Sequence, residues 1–227
     1  MTVITAATPW ESRPLARALG LKRRPDDLRL HQGPGLLLVE TGMGPERTHA
    51  ALRGLASRFA IRGIIGTGFA GALQPELLCG DIVVDPHDAS CDLVDRVRRT
   101  ATATRARLFL GRLASAPAPL CDPAAKRDLG LRTRATAVDM ESSAARSWCV
   151  GRGVPFAGIR VILDSVDQRL PGTAPQGESL AALARYALAS RGELPMLLSL
   201  AFQQRRAIRT LGRFLHSLMG EHHELLS

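Results

Sequence analysis

Short apolar runs alternate with amphipathic stretches along this chain. Thr2–Ala7 is largely apolar and β-compatible, and Thr8 and Pro9 follow it. That pair suits a helix N-cap and first turn, so a helix is predicted over Trp10–Leu19, closed by Gly20. Leu36–Glu40 reads as a second buried strand. It turns at Thr41-Gly42-Met43-Gly44 into a helix opened by Pro45 and running to about Phe59. Gly63–Gly66 holds a short β run, and Gly66-Thr67-Gly68-Phe69-Ala70-Gly71 reads as a glycine-rich turn. Gly80–Asp85 is a further strand. Val94–Arg107 reads as exposed helix or loop, Leu108–Leu113 as strand, and the proline-bearing Ala114–Pro123 as irregular. Ala135–Met140 and Pro155–Leu163 read as strands flanking a helix over Glu141–Val150. A loop is predicted over Gln168–Glu178, with helices over Glu178–Ser190 and Leu194–Met219. This alternation predicts an α/β fold with a largely parallel or mixed sheet.

Composition narrows the class. The chain has 227 residues, 45% of them hydrophobic, enough for one domain with a sizeable core. A charged fraction of 22% excludes a disordered polyelectrolyte. No apolar run reaches the roughly 18 residues that span a bilayer, so an integral membrane protein is excluded. No basic segment precedes a long apolar stretch, so no export signal and a cytoplasmic location are expected. The cysteines (Cys79, Cys91, Cys121, Cys149) form no C-x-x-C pair and the histidines no H-E-x-x-H spacing; no metal is expected.

The net charge is +9, and all but Lys22 and Lys126 of the 30 basic residues are arginines. Such a balance suits nucleic acid, an anionic membrane surface or a phosphate-bearing ligand, and is equally a mark of GC-rich coding. With one tyrosine, two tryptophans and no reader motif, nucleic acid is not the expected partner, and a basic binding module stands as the non-enzymatic alternative. In the C-terminal helix Leu197, Leu200, Ala201, Ile208, Leu211, Leu215 and Leu218 recur at helical spacing against Arg205, Arg206, Arg209, Arg213 and His216. That pattern fits peripheral contact with an anionic membrane, an ordinary packed terminal helix, or a partner-binding helix.

The candidate chemistry is acidic. Gly66–Gly71 matches G-x-G-x-x-G by letter, but Pro75 and Gly80 interrupt the helix that dinucleotide binding needs. Glu11, Glu141 and Asp164 each follow a predicted strand, where an open α/β sheet gathers residues at one crevice. Together they suggest proton transfer and hydroxyl binding. Singly, Glu11 and Glu141 also fit helix-dipole partners and Asp164 a turn cap.

Three segments, in order, resemble the nucleoside phosphorylase and nucleosidase superfamily. They are Gly66–Leu73 with Gly80–Val84, the Val138-Asp139-Met140-Glu141-Ser142-Ser143-Ala144 run, and Ile159–Asp167. The resemblance spans about residues 1–190. It implies a single-domain, three-layer α/β/α sandwich with a mixed, twisted central sheet, followed by a helical extension over 191–227. It further implies Asp164 as the acid that protonates purine N7, and Glu11 as the carboxylate that activates the nucleophile. Met140, Glu141 and Phe69 would hold the ribose. Gly68 and Arg160 would lie on the nucleophile or phosphate side, and Leu120, Ala70 and Gly71 at the base. Asp164 is then expected to be desolvated, with its pKa raised.

The same resemblance implies no cofactor, with phosphate open as a co-substrate, and a homo-oligomer; Arg13, Arg47 and Arg160 are the phosphate candidates. Three features depart from the pattern: Leu163 replaces the serine before the acid, Phe69 replaces a small polar residue, and the stretch from Asp85 to Met140 is short. Ser115–Leu120 is the candidate remnant of the base site. The branch most resembled is the hopanoid-associated phosphorylases, implying cleavage of adenine from adenosylhopane. Soluble nucleosidases for methylthioadenosine, S-adenosylhomocysteine or futalosine are the alternative.

Overall fold

The computed structural model describes residues 1–85, 91–171 and 194–220. Strand β1 (Thr2–Ala6) leads through Thr8 into helix α1 (Pro9–Ala18), with Pro9 in the first turn, where its missing N–H costs no hydrogen bond. The antiparallel pair β2 (Lys22–Arg23) and β3 (Leu30–Gly33) follows, then β4 (Leu36–Glu40) and α2 (Pro45–Ala56). Next come β5 (Gly63–Ala72), β6 (Ile82–Asp85), α3 (Cys91–Thr104), β7 (Leu108–Leu110) and β8 (Leu113–Ser115). Helix α4 (Pro123–Thr133), β9 (Ala137–Asp139), α5 (Ser142–Val150), β10 (Phe156–Asp164) and the long α6 (Leu194–Gly220) complete the described chain.

The ten strands form one mixed sheet in the order β2-β3-β4-β1-β5-β10-β6-β7, with β9 pairing β5 and β8 pairing β9. Strands β4, β1, β5 and β10 run parallel, so Glu40, Ala6, the glycine-rich end of β5 and Asp164 emerge at one edge. Successive side chains of a strand point to opposite faces. Ile4 and Ile65 therefore pack with Leu15, Val97, Leu211 and Phe214 beneath α1, α3 and α6. Their neighbours Val3 and Ile64 pack with Leu52, Trp148 and Phe156 beneath α2 and α5. A sheet covered on both faces needs unbroken apolar strands, which is what Leu36–Val39 is.

The outcome differs from the sequence reading in four places. The glycines 66–71 are not a turn: β5 runs straight through them to Ala72. Their lack of side chains admits neighbours instead, since a Cβ on Gly66 would sit 3.0 Å from the Phe156 ring. The exposed Lys22–Arg23 and the β3 strand carry too little apolar pattern to announce a strand pair. Within the segment expected to be irregular, Ala114 and Ser115 continue the strand from Leu113 and pair with β9. Helix α4 was unforeseen altogether; only Lys126 and Gly130 of its residues are buried, so it has no apolar face to read. The loop expected over Gln168–Glu178 lies partly, and the helix over Glu178–Ser190 wholly, outside the described residues.

Residues Ala207–Met219 of α6 belong to the same core as β1 and β5, with Leu211, Phe214, Leu215 and Leu218 at 0% exposure. Among the described residues no helix is long and apolar enough to cross a membrane. Phe214→Ala is expected to destabilise the whole domain by about 3–5 kcal/mol, read as a single lowered transition in denaturant. A separate, earlier transition for α6 would contradict this packing.

Candidate active site

The site is built on the C-terminal half of β5. Gly68 adopts φ +132°, and a Cβ there would lie 2.4 Å from Glu11 Oε1. That opening admits Glu11, in the first turn of α1, to within hydrogen-bond reach of the strand. Phe69 N–H donates to Glu11 Oε1 at 2.8 Å, while the Thr8 N–H and hydroxyl both donate to Oε2 at 2.9 Å. Glu11 is 5% exposed. Burial raises its pKa above the ordinary carboxylate value, against the lowering pull of the Phe69 and Thr8 donors and of Arg160.

Arg160 on β10 pairs with Gly68 in the sheet register. It is 2% exposed, a cost that needs strong partners. Its Nε donates to Asp139 Oδ2 at 2.7 Å and its Nη2 to Ser142 Oγ at 3.1 Å. Asp139 is in turn held by Ser115 Oγ at 2.8 Å and by the N–H and hydroxyl of Ser142. Burial opposes ionisation of Asp139, but Arg160 and these donors outweigh it and hold its pKa below the usual range. The remaining nitrogen of Arg160, Nη1, is buried with no partner.

Glu141 is the N-cap residue of α5, and its Oε1 accepts from Gly44 N–H at 2.8 Å. Gly44 is itself the N-cap of α2, so Glu141 occupies the electropositive end of that helix. Burial raises the Glu141 pKa to about 7, with repulsion from Asp139 and Glu11 adding to it and Arg160 and Gly44 opposing. Glu11, Glu141 and Arg160 thus share one electrostatic environment. Met140 and Phe69, both half-buried, flank it along the chain.

Asp164 ends β10 opposite Gly71, three positions beyond Gly68 and so about 10 Å further along β5. A Cβ on Gly71 would stand 3.3 Å from Asp164 Oδ2 and 3.5 Å from Val138. Asp164 is 3% exposed, and burial raises its pKa above the ordinary carboxylate value, as expected, against the lowering pull of Lys126. Lys126 Nζ forms a short ion pair with Asp164 Oδ2 and donates to Ser165 O at 3.0 Å and Gln168 O at 2.7 Å.

Glu11, Gly68, Phe69, Glu141 and Arg160 are therefore brought together, with Gly71 and Asp164 next along the same strand. The Ala70 side chain instead lies in the core with Leu77, Val83 and Ile162, and half-buried Leu120 packs near Leu73, Ala116 and Val138. Arg13 is exposed. Arg47 is also exposed, and it lines a separate cleft of about 980 Å³ between β3, β4 and α2 with Glu40 and Thr41. Asp139, Ser142, Gly44 and Lys126 were not singled out from sequence, and Ser115, expected at the base site, instead holds Asp139. Asp139 lies inside the second family segment, and Lys126 is conspicuous as one of two lysines. Among the described residues no group of three histidine, cysteine or acidic side chains could hold a metal ion.

The sequence matches the Phosphorylase superfamily over residues 2–87 and 84–192, and the chain belongs to that superfamily. It is similar to a 5′-methylthioadenosine/S-adenosylhomocysteine nucleosidase of Baumannia cicadellinicola subsp. Homalodisca coagulata, 29% identical over 161 residues, 60% of this chain and 70% of that protein. Among solved structures it resembles futalosine hydrolase of Helicobacter pylori strain 26695 (TM-score 0.74, 19% identity, 97% of each chain). A mutant MTAN from Helicobacter pylori, with 5′-methylthioadenosine in its active site, matches as well (TM-score 0.74, 19% identity, 97% of this chain and 98% of that one). These two likenesses define the fold: a mixed α/β sheet between helices, of nucleosidase type.

The raised pKa of Glu141 carries a sign that can be checked. Its protonated form is the one burial favours, so that stabilisation is complete below 4.5 and is lost as pH rises through about 7. Glu141→Gln is expected to match the native protein in stability at acid pH and to exceed it above pH 7, by up to about 3 kcal/mol. Chemical denaturation across that pH range reads the difference.

Proposed function

We propose that this chain hydrolyses the purine N-glycosidic bond of an adenosyl compound with an apolar 5′ substituent, releasing adenine. The observation that carries the reading is the buried, unpartnered Nη1 of Arg160 beside Glu11 and Glu141, with Asp164 further along the same strand. One end of the site can hold a polar nucleophile and the other can meet a leaving base.

In this mechanism Glu141 accepts from the sugar hydroxyls. As the C1′–N9 bond breaks, its electron pair stays with the purine, and the Asp164 proton passes to N7. The sugar becomes oxocarbenium-like, stabilised by the carboxylates beneath it. Water then adds to C1′ and gives its proton to Glu11, which burial makes a stronger base than an ordinary carboxylate. Water fits better than phosphate, because a phosphate dianion at this place would face Glu11 and Glu141 together, and the α2 N-terminus is already taken by Glu141.

The 5′ group is the finer part of the proposal. Phe69, half-buried next to Gly68 where the expected residue is small and polar, would make the sugar end more apolar, which suits a methylthio group or a hopane alike. The named sequence relative supports methylthioadenosine. The face of α6 supports adenosylhopane: Leu198 and Phe202 are 61% and 69% exposed, with Arg205 and Arg209 continuing at helical spacing. Gln203 of this turn bonds Gln168 in the loop after Asp164, so the greasy patch adjoins the site and could rest on an anionic membrane. Leu198→Ser with Phe202→Ser is expected to reduce sedimentation with anionic vesicles and leave cleavage of a soluble nucleoside intact.

Incubation with methylthioadenosine and with adenosylhopane, each with and without phosphate, decides the substrate and the nucleophile. Free adenine and an unphosphorylated sugar product are expected, and a sugar 1-phosphate would overturn hydrolysis. Asp164→Asn is expected to lower adenine release by about 10²–10⁴-fold. Gly68→Ala, whose methyl must displace the Glu11 carboxyl, is expected to cut turnover while binding of adenine persists.

A further inference from the structure

The Lys126–Asp164 pair is a built feature that glycosidic cleavage does not by itself require. Both side chains are inaccessible, Lys126 at 1% and Asp164 at 4%. An ammonium has three donors and no acceptor capacity. Lys126 spends all three on Asp164 Oδ2, Ser165 O and Gln168 O, so its surroundings fit the charged form alone. Among the described residues no other side chain donates to Asp164.

Lys126 reaches this place because α4 comes unusually close to the sheet. Gly130, one turn further on the same face, packs against Leu73 so tightly that a Cβ would lie 2.7 Å from the Leu73 carbonyl oxygen. Among the described residues Cys79, between β5 and β6, also senses Asp164, and burial pushes its thiol pKa up.

Resting on the nucleosidase reading, we propose that Lys126 is a positioning residue for Asp164: it pins Oδ2, leaves Oδ1 to meet the purine, and keeps the carboxyl ionised until a base docks. The proton is then taken from solvent onto Oδ1 as the nucleoside binds. It passes to N7 as C1′–N9 breaks, and the proton that Glu11 removes from water returns to solvent, so the cycle balances. The acid is thus loaded by substrate rather than held ready in the free protein.

The test is the pH profile of kcat/KM for whichever nucleoside the native protein cleaves, methylthioadenosine being the first probe. Replacing the cation by a neutral group, in Lys126→Met or Lys126→Gln, is expected to move the alkaline limb upward by about 1–3 pH units. Lys126→Arg is expected to keep the limb near its native position. A rate lowered equally at every pH, with the limb unmoved, means that Lys126 only ties down the loop and overturns the proposal. A second measurement does not need those variants to fold. Infrared titration of the native protein, with Asp164→Asn as the blank, should show residue 164 as a carboxylate at pH 7 without nucleoside; a carboxylic acid band there also overturns it. Absence of adenine release from the native protein would sink the nucleosidase reading, while the infrared result would still report on the pair.

Discussion

One buried guanidinium organises this protein's polar interior. Arg160 lies in the middle of β10, almost wholly out of water, where a lone charge costs several kcal/mol. Asp139 neutralises it, and Ser115 and Ser142 satisfy Asp139 in turn. The network joins β10, β8, β9 and α5, so the same bonds that make the charge tolerable set the distance between the sheet and the helix capped by Glu141. Glu11 and Glu141 can then be buried near each other because a fixed positive charge stands close to both.

This arrangement depends on where side chains are missing. At Gly68, Gly71 and Gly130 the backbone leaves room for Glu11, for Asp164 and for the Leu73 carbonyl respectively. Glu11 from α1, Asp164 from β10 and the backbone of α4 therefore reach the end of β5 without the sheet being broken, and the apolar layers on either side remain intact.

Much of this was legible from residues alone. The apolar runs of β1 and β4, those of β10 on either side of Arg160, and the capping chemistry of α1 and α2 are local signals, and they gave strand and helix in the right order. The three carboxylates were legible because each lies just after a strand predicted from the sequence. Other parts were not, for physical reasons. Glycines in series look like a turn unless one knows what approaches them, and that information lies at residues 11, 156 and 164. Helix α4 buries a lysine and a glycine rather than an apolar stripe, so no periodicity marks it. The Asp139 network joins residues from four separate elements, and only the fold shows that they meet.

The close seating of α4 at Gly130 has a consequence for how this chain can diversify. The separation between that helix and the end of β5 is set by an absent methyl group, and the ammonium one turn away is carried along with it. Any larger residue at 130 would meet the Leu73 carbonyl, lever the helix outward and loosen the Lys126 contact at Asp164 without touching Glu11, Glu141 or Arg160. A single added methyl at this position would thereby alter the charge environment of a buried carboxylate on a different strand.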